Sequence, residues 1–416
     1  MDWFLPEKFE KLTNLGKGAT LCVLGSGPTG VETALYGAVL GFKVRILEKA
    51  KACENLVRWG HVRCYTPWQE NTTLLGRELL KRLRLEQANR PLETITTGRQ
   101  LALDYLEPLL ASPLLKGTLE TGISVLRIGN QNTLSPAGSG SITQDNSKGF
   151  LLLTRLTDGK EKLEATDFVA DCTGTYGNPK WFGPEGLPAP GEIGCRSRIV
   201  YGLEDILGES KSYFAGKTTI VIGNGLMAAA TVSRLALLAR ENPATWITWI
   251  SHKPSALPIL RVPNDPYRER DLLAAEANTL ASRGENHVEF FPGMPIQQVE
   301  WLGEDAGFRL HCMGPLGPKT FEGERMICHR GFMPDTVIWR ELGVPIDPVR
   351  EDFGAELAHP HRLFGFDVLG AKRYGRRPGY LMKQVANQVR SFFARITRQP
   401  QLDLYRLCAS KGETAP

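Results

Sequence analysis

The chain has 416 residues, 42% hydrophobic and 23% charged, with a formal net charge of +5. That length calls for two or three domains with ample core, and Lys and Arg are scattered among Asp and Glu rather than blocked, which gives no support to a nucleic-acid role. No uncharged apolar run reaches the roughly 18 residues of a membrane span, and the start MDWFLPEKFEKL lacks a basic region followed by an apolar core, so no secretory signal and a cytoplasmic location are expected.

The first informative element is a hydrophobic run, Leu21-Cys22-Val23-Leu24, entering Gly25-Ser26-Gly27-Pro28-Thr29-Gly30, a G-x-G-x-x-G figure. Each glycine has a physical task. The first gives a sharp turn from strand to helix, the second lets the backbone approach a pyrophosphate, and the third lets helix and strand pack closely. The helix N-terminus then offers unpaired N–H groups and a partial positive charge to phosphates. Residues 31–41 read as that helix. Phe42-Lys43-Val44-Arg45-Ile46-Leu47 reads as a second strand ending on Glu48, 23 residues after Gly25. A carboxylate there accepts hydrogen bonds from a ribose 2′-hydroxyl and repels a 2′-phosphate. The plain alternative is a glycine turn in an ordinary α/β unit.

Residues 70–117 read as mostly helical with loop breaks, and Ile123–Ile128 as a strand. Residues 130–149 are the most loop-like stretch. Residues 150–154 and 168–170 read as strands with a turn at Asp158-Gly159 between them. The latter leads into Asp171-Cys172-Thr173-Gly174-Thr175-Tyr176-Gly177.

A second fingerprint begins 198 positions after the first, at Gly223-Asn224-Gly225-Leu226-Met227-Ala228, preceded by Thr219-Ile220-Val221-Ile222. Residues 227–240 read as its helix and Trp246–Ile250 as its second strand. That strand ends on Ser251-His252-Lys253, with no carboxylate. A serine and a cation there suit a 2′-phosphate, which favours NADPH over NADH; a solvated Lys253 is the alternative. Asn264-Asp265-Pro266 and Arg268-Glu269-Arg270 read as a turn and a solvated helix start, with a border of the substrate space as the alternative. Strand-like runs follow at residues 287–291 and 308–311.

After Arg330 the chain returns to the first domain. Leu363–Gly370 reads as a last strand. Met382, Val385, Val389, Phe392, Phe393 and Ile396, with Leu381, form the apolar face of a helix expected to pack on the core. Lys372, Arg373, Tyr374, Arg376 and Arg377 form a cationic run that suits a phosphate or acidic substrate, or a solvated loop. His359-Pro360-His361 has no nearby third ligand, so no metal is expected. Eight cysteines occur without a C-x-x-C pair, which fits reduced thiols and argues against a dithiol reductase.

These residues together resemble the two-dinucleotide-binding-domain flavoproteins, the superfamily of thioredoxin-reductase-like enzymes and flavin-containing monooxygenases. The first fingerprint with Glu48, the Asp171-Cys172-Thr173-Gly174 hinge, the second fingerprint and the glycine-bearing strand near Gly370 carry the resemblance. It implies an α/β fold of two Rossmann-like domains, the NADPH domain inserted in the FAD domain: residues 1–205 and 331–416 for FAD, 206–330 for NADPH. Residues 57–68 and 372–376 also resemble a group of FAD-dependent oxidoreductases.

The FAD contacts so implied are Gly25, Gly27, Pro28, Thr29, Gly30, Glu48, Lys49, Trp59, Thr66, Thr173, Gly174, Gly370 and Lys372. Those for NADPH are Gly223, Gly225, Leu226, Met227, Ala228 and Lys253. The segment Trp59–Trp68 is expected to form the flavin-ring wall, with Arg63 stabilising negative charge on the reduced ring and His61 relaying a proton. A buried structural segment is the alternative. Three departures stand out: Gly370 is followed by Ala371 and Lys372 where the superfamily often has Gly-Asp, the F-x-G-x-x-x-H signature is replaced by Ile199-Val200-Tyr201-Gly202-Leu203, and C-x-x-C is absent.

The resemblance implies hydride transfer from NADPH to flavin N5. The leading expectation is a single-component monooxygenase in which a flavin C4a-hydroperoxide oxygenates nitrogen or sulfur of a small metabolite, with dioxygen as co-substrate. The alternatives are an NADPH-dependent flavoprotein reductase or dehydrogenase that inserts no oxygen, and a nucleotide-binding sensor without catalysis. A homodimer is left open.

Overall fold

The computed structural model describes residues 7–131, 149–284, 287–344, 363–374 and 382–409. His359 and His361, Gly375, Arg376, Arg377, Leu381 and most of the loop-like stretch 130–149 lie outside the described residues. The chain divides into two compact units, Met1–Asn178 with Met333–Pro416, and Pro179–Phe332.

The first unit is built on a parallel sheet in the order Phe366–Val368, Phe168–Asp171, Thr20–Leu24, Lys43–Glu48, Leu119–Thr121. Both faces are covered, as a parallel sheet requires. Strand alternation divides the central strand between two cores. Leu21 and Val23 join a cluster with residues of the helices Pro28–Val39 and Met382–Ile396. Cys22 and Leu24 face the other way, toward Ile128, Phe150 and Leu152 of an antiparallel sheet made by Ile123–Asn130, Phe150–Leu156 and Glu161–Thr166. The last of these strands, EKLEAT, is mostly exposed, so it carries no hydrophobic signal in the sequence.

The helix Met382–Ile396 behaves as its apolar spacing predicts. Val385, Val389, Phe392 and Phe393 are fully buried, and Phe393 stacks on Tyr36 with ring centroids 4.8 Å apart. Each such side chain contributes roughly 1.5–3 kcal/mol by leaving water. Among the described residues no helix is long and apolar enough to cross a membrane.

The second unit repeats the plan. Val288–Phe291, Trp246–Ile250, Thr218–Ile222 and Arg325–Cys328 form a parallel sheet. The helices Leu226–Glu241 and Arg268–Arg283 supply one core. Antiparallel strands Ile296–Gly303, Gly307–Gly314 and Gly317–Gly323 form the second small sheet, and Val299, Phe308, Leu310 and Phe321 enter the other core. Arg270 opens its helix paired to Asp265 at 2.6 Å. The architecture is therefore two Rossmann-like units, one inserted in the sequence of the other.

One boundary differs from the expected residue 206. Residues 179–205 belong to the second unit because Phe182, Ala189, Cys195 and Ile199 pack with Ile220, Ile222 and Ile250, and Val200 bridges Ile327.

Candidate functional site

The first unit encloses a cavity of about 620 Å³ at the carboxyl ends of its parallel strands. Leu24, Leu47, Cys172 and Leu369, each at or just past a strand end, all line it. Open α/β sheets bind ligands in this crevice.

The first fingerprint shapes one wall. Gly25 turns the chain at φ +92°, and a Cβ there would meet the Cys172 carbonyl at 3.0 Å. Gly30 lies so close to Gly25 that a Cβ would strike the Gly25 carbonyl oxygen. Gly30 does not line the cavity; it permits the packing that makes one. Gly27 is different in kind. It caps the helix Pro28–Val39 at φ −70°, ψ −178°, with no side chain taking up the first-turn N–H groups, and a Cβ added to it meets no protein atom within 4 Å. Gly27, Pro28 and Thr29 all line the cavity, and the first turn holds no acidic residue. A helix N-terminus of this form accepts phosphate.

Glu48 faces the same space. Its Oε2 accepts from the backbone N–H and the hydroxyl of Ser26, both at 2.9 Å, and its Oε1 accepts from the Ala50 N–H at 3.0 Å. The Ser26 hydroxyl also accepts from the Cys53 N–H at 3.0 Å. The carboxylate is thus fixed by short bonds while its remaining lone pairs stay available to a sugar hydroxyl. The sequence does not mark Ser26, because the second position of G-x-G-x-x-G admits any residue.

The end of the strand Phe168–Asp171 holds a buried ion pair. Lys372 Nζ donates to Asp171 Oδ2 at 2.7 Å and to Thr173 Oγ1 at 2.9 Å, and neither charged side chain has any solvent exposure. Trp339 Nε1 donates to the same Asp171 oxygen at 2.8 Å. The other oxygen accepts from the Thr173 N–H and hydroxyl at 3.0 and 2.7 Å. Thr173, Gly174, Lys49 and Lys372 line the cavity. Lys372 is therefore no solvated loop residue. Gly370 contributes from behind: at φ +81° its Cβ would meet Thr29 Oγ1 at 2.5 Å, and its N–H donates to Gln388 Oε1 at 2.7 Å.

The segment Trp59–Trp68 splits. Trp59 and Cys64 line the cavity. Trp68 is core, packed edge-on against Tyr105. Thr66 donates to Asn71 Oδ1 at 2.8 Å, and it is Asn71 that reaches the cavity wall. His61 and Arg63, expected to act on the ring, are not among the lining residues; Arg63 is exposed at the start of the strand Arg63–Pro67. Alternation explains this: with Cys64 turned inward, its neighbour Arg63 is turned outward. Burial pushes the Cys53 thiol up to about 12, helped by the charges of Glu107 and Glu48, and burial also raises Cys172.

In the second unit Gly223 sits at φ +141°, where a Cβ would meet the His329 carbonyl at 2.6 Å. Gly225 caps the helix Leu226–Glu241 without a side-chain bond, and its Cβ position meets no atom within 4 Å. Leu226 and Met227 open that helix, and Ala228 is buried in the close-packing slot. Lys253 is exposed beyond the strand end. Sequence reasoning missed its companion. Arg330 Nη1 lies 2.6 Å from His252 Nδ1, and burial together with Arg330 and Lys253 holds the His252 pKa below its usual value. A neutral His252 thus accepts from Arg330, leaving two cations at this edge. The strand Arg325–Cys328 that delivers Arg330 is short, which hid it in the sequence.

No family model matches the chain, and no curated protein does. Solved structures do. A bacillithiol disulfide reductase of Bacillus cereus aligns over 92% of this chain and 99% of its own at 15% identity, with a TM-score of 0.62. The cadaverine monooxygenase of Erwinia amylovora, bound to FAD, aligns over 92% and 95% at 15% identity and TM-score 0.62. An ornithine N-hydroxylase of Kutzneria sp. 744, with reduced FAD, NADP+ and L-ornithine, aligns over 92% and 100% at 13% identity and TM-score 0.62. At such identities the likeness is one of fold.

Proposed function

We propose that this protein is an FAD-dependent, NADPH-linked oxidoreductase, with FAD held by the first unit and NADPH by the second. The observation that carries the reading is the cradle at Gly27: a helix N-terminus, open space where a side chain would stand, and Glu48 fixed on the same cavity. Gly225 repeats the cradle in the second unit. The first-turn N–H groups and Lys49 would hold the FAD pyrophosphate. Glu48, oriented by Ser26, would accept a ribose hydroxyl, and Thr173, held from behind by Asp171 and Lys372, would meet the flavin end. When bound, FAD supplies the acceptance of a hydride from NADPH and its onward transfer.

The finer reading is a monooxygenase acting on nitrogen or sulfur of a small metabolite with dioxygen. One observation favours it over thiol–disulfide exchange. Cys53 and Cys172 on the cavity wall are held as thiols by burial, whereas exchange needs a thiolate. The fold is shared with a disulfide reductase as well as with the monooxygenase and the N-hydroxylase, and does not choose between them. The test is a yellow preparation mixed anaerobically with NADPH, then with dioxygen and an amine or thioether panel. Bleaching, followed by a product heavier by one oxygen, is expected. Bleaching with no oxygenated product assigns the reductase alternative, and no bleaching at all sinks both.

Cofactor preference has its own test. Lys253→Glu places a carboxylate where the phosphate would lie, beside Arg330 and His252. It is expected to raise KM for NADPH about tenfold, the effect of roughly 1.4 kcal/mol, and to change KM for NADH little. Equal changes for both cofactors count against a 2′-phosphate contact.

A further inference from the structure

The two units carry the same strand-to-helix turn in the same register. Leu24 pairs with Leu47 and Ile222 with Ile250, and the next residues, Gly25 and Gly223, donate to the Leu47 and Ile250 carbonyls at 2.8 and 3.0 Å. Glu48 and Ser251 therefore occupy equivalent places. Each accepts from the N–H two residues on, Glu48 from Ala50 at 3.0 Å and Ser251 from Lys253 at 3.1 Å. Only Glu48 is long enough to hold the turn as well, where its other oxygen accepts from the Ser26 N–H. The matching donor in the second unit is the Asn224 N–H, and among the described residues it has no acceptor.

The second unit holds that peptide from its other side. In the first unit the Gly25 carbonyl lies against Gly30, where no Cβ fits. Ala228 has that slot in the second unit, so its helix cannot close on the carbonyl in the same way. Gly223 opens to φ +141°, against +92° at Gly25, and its carbonyl accepts from Trp249 Nε1 at 2.7 Å. Trp249 is fully buried among Val221, Ala228 and Val232, so the indole is not free to turn. The carbonyl and the N–H of a trans peptide point in opposite directions. A carbonyl anchored in the core therefore turns the Asn224 N–H outward, as the Ser26 N–H is turned to Glu48. Asn224 is half-buried and Gly225 and Lys253 are exposed, so this edge is open to a ligand.

We propose that Trp249 is a positioning residue for NADPH: by fixing the Gly223–Asn224 peptide it presents the Asn224 N–H to an oxygen of the ribose 2′-phosphate. The phosphate would take the place that the Glu48 carboxylate fills in the first unit, with Lys253 beside it. The proposal rests on the NADPH reading and adds to it an uncharged donor supplied by the backbone.

Trp249→Phe keeps an aromatic ring and removes the donor. Replacing Trp249 by benzothienylalanine, in which sulfur stands for the indole N–H, keeps the whole ring shape and decides the matter where the Phe variant folds poorly. Dissociation constants for NADP+ and NAD+ are measured on the purified protein by titration calorimetry, beside its thermal unfolding. Both variants are expected to weaken NADP+ about tenfold, the effect of one lost hydrogen bond to a charged group, and to change NAD+ little. A lost packing contact would instead shift the two cofactors together. Equal changes for both, or no change for either, in the benzothienylalanine protein overturn the proposal alone, whatever the melting temperature does. A wild-type protein that binds NADP+ no more tightly than NAD+ overturns the 2′-phosphate reading, and the proposal with it.

Discussion

Gly27→Val is expected to yield a folded protein that does not retain flavin. The backbone at Gly27 has φ −70° and ψ −178°, a region open to any L-residue, so valine brings no strain. Its Cβ would meet no protein atom within 4 Å, so valine brings no clash with the fold either. Valine caps a helix less well than glycine, which costs about 1 kcal/mol or less. What the isopropyl group does fill is the space beside the helix N-terminus, where a pyrophosphate must approach the backbone N–H groups. Purified Gly27→Val should therefore be colourless, with a ligand-free melting temperature within a few degrees of the wild-type apoprotein. Gly30→Ala supplies the contrast. Its Cβ strikes the Gly25 carbonyl, a backbone atom that cannot swing aside, so that variant should lose stability even without ligand. A yellow Gly27→Val preparation with full flavin content would remove the first unit as the FAD site.

The difference between these two glycines shows which features a sequence discloses. Gly25, Gly27 and Gly30 are legible because a tight strand-to-helix turn and a ligand's approach each admit one residue type. Glu48 is legible because strand length fixes how far it lies from the turn. Lys372 is half legible. Its charge is visible, but its partner Asp171 lies 201 positions away, and only the pairing of Phe366–Val368 beside Phe168–Asp171 brings them together. The chemistry of His61 and Arg63 suits a flavin-ring wall, but chemistry alone does not place a side chain. The inward positions nearby belong instead to Trp59 and Cys64, because strand register, invisible in one sequence, decides which side chain turns in. The start of the second unit at residue 179 is hidden only in part. Pro and Gly crowd residues 177–191, a linker signal, but which unit that stretch joins is set by where Phe182, Ala189 and Cys195 find a core.

Glu32 carries the second large expected effect, and no motif marks it. It lies in the helix Pro28–Val39 and is 1% exposed. Neither carboxyl oxygen finds a partner of good geometry. Burial pushes its pKa up to about 7, with the Thr73 and Tyr405 hydroxyls and the charge of Arg77 acting in the opposite direction. The tyrosines Tyr36, Tyr105 and Tyr405 around it are themselves raised by burial, so all stay neutral across the accessible range. For an acid raised in the folded state, the unfolded chain ionises first. The neutral carboxyl costs nothing below the unfolded value near 4.5, and stability falls as pH rises from there through about 7. The loss on completing that titration is about 3 kcal/mol.

Glu32→Gln keeps the shape and removes the titration. The variant should gain up to about 3 kcal/mol over wild type at pH 8 and almost none at pH 4.5, measured by denaturant unfolding of the apoprotein. The difference between the two proteins is the useful quantity, because His329 contributes a slope of its own. Burial lowers that imidazole to about 3, so its contribution is present above its ordinary value and lost as pH falls from about 6.5 toward 3. It cancels in the comparison. Parallel stability profiles for wild type and Glu32→Gln would mean that the carboxyl is not held neutral. The position has a consequence for the site as well. Glu32 stands two residues beyond Gly30 in the helix whose N-terminus faces the cavity, and a negative charge there opposes a phosphate at that terminus. A carboxyl kept neutral up to about pH 7 leaves the positive end of the helix dipole undiminished for the anion.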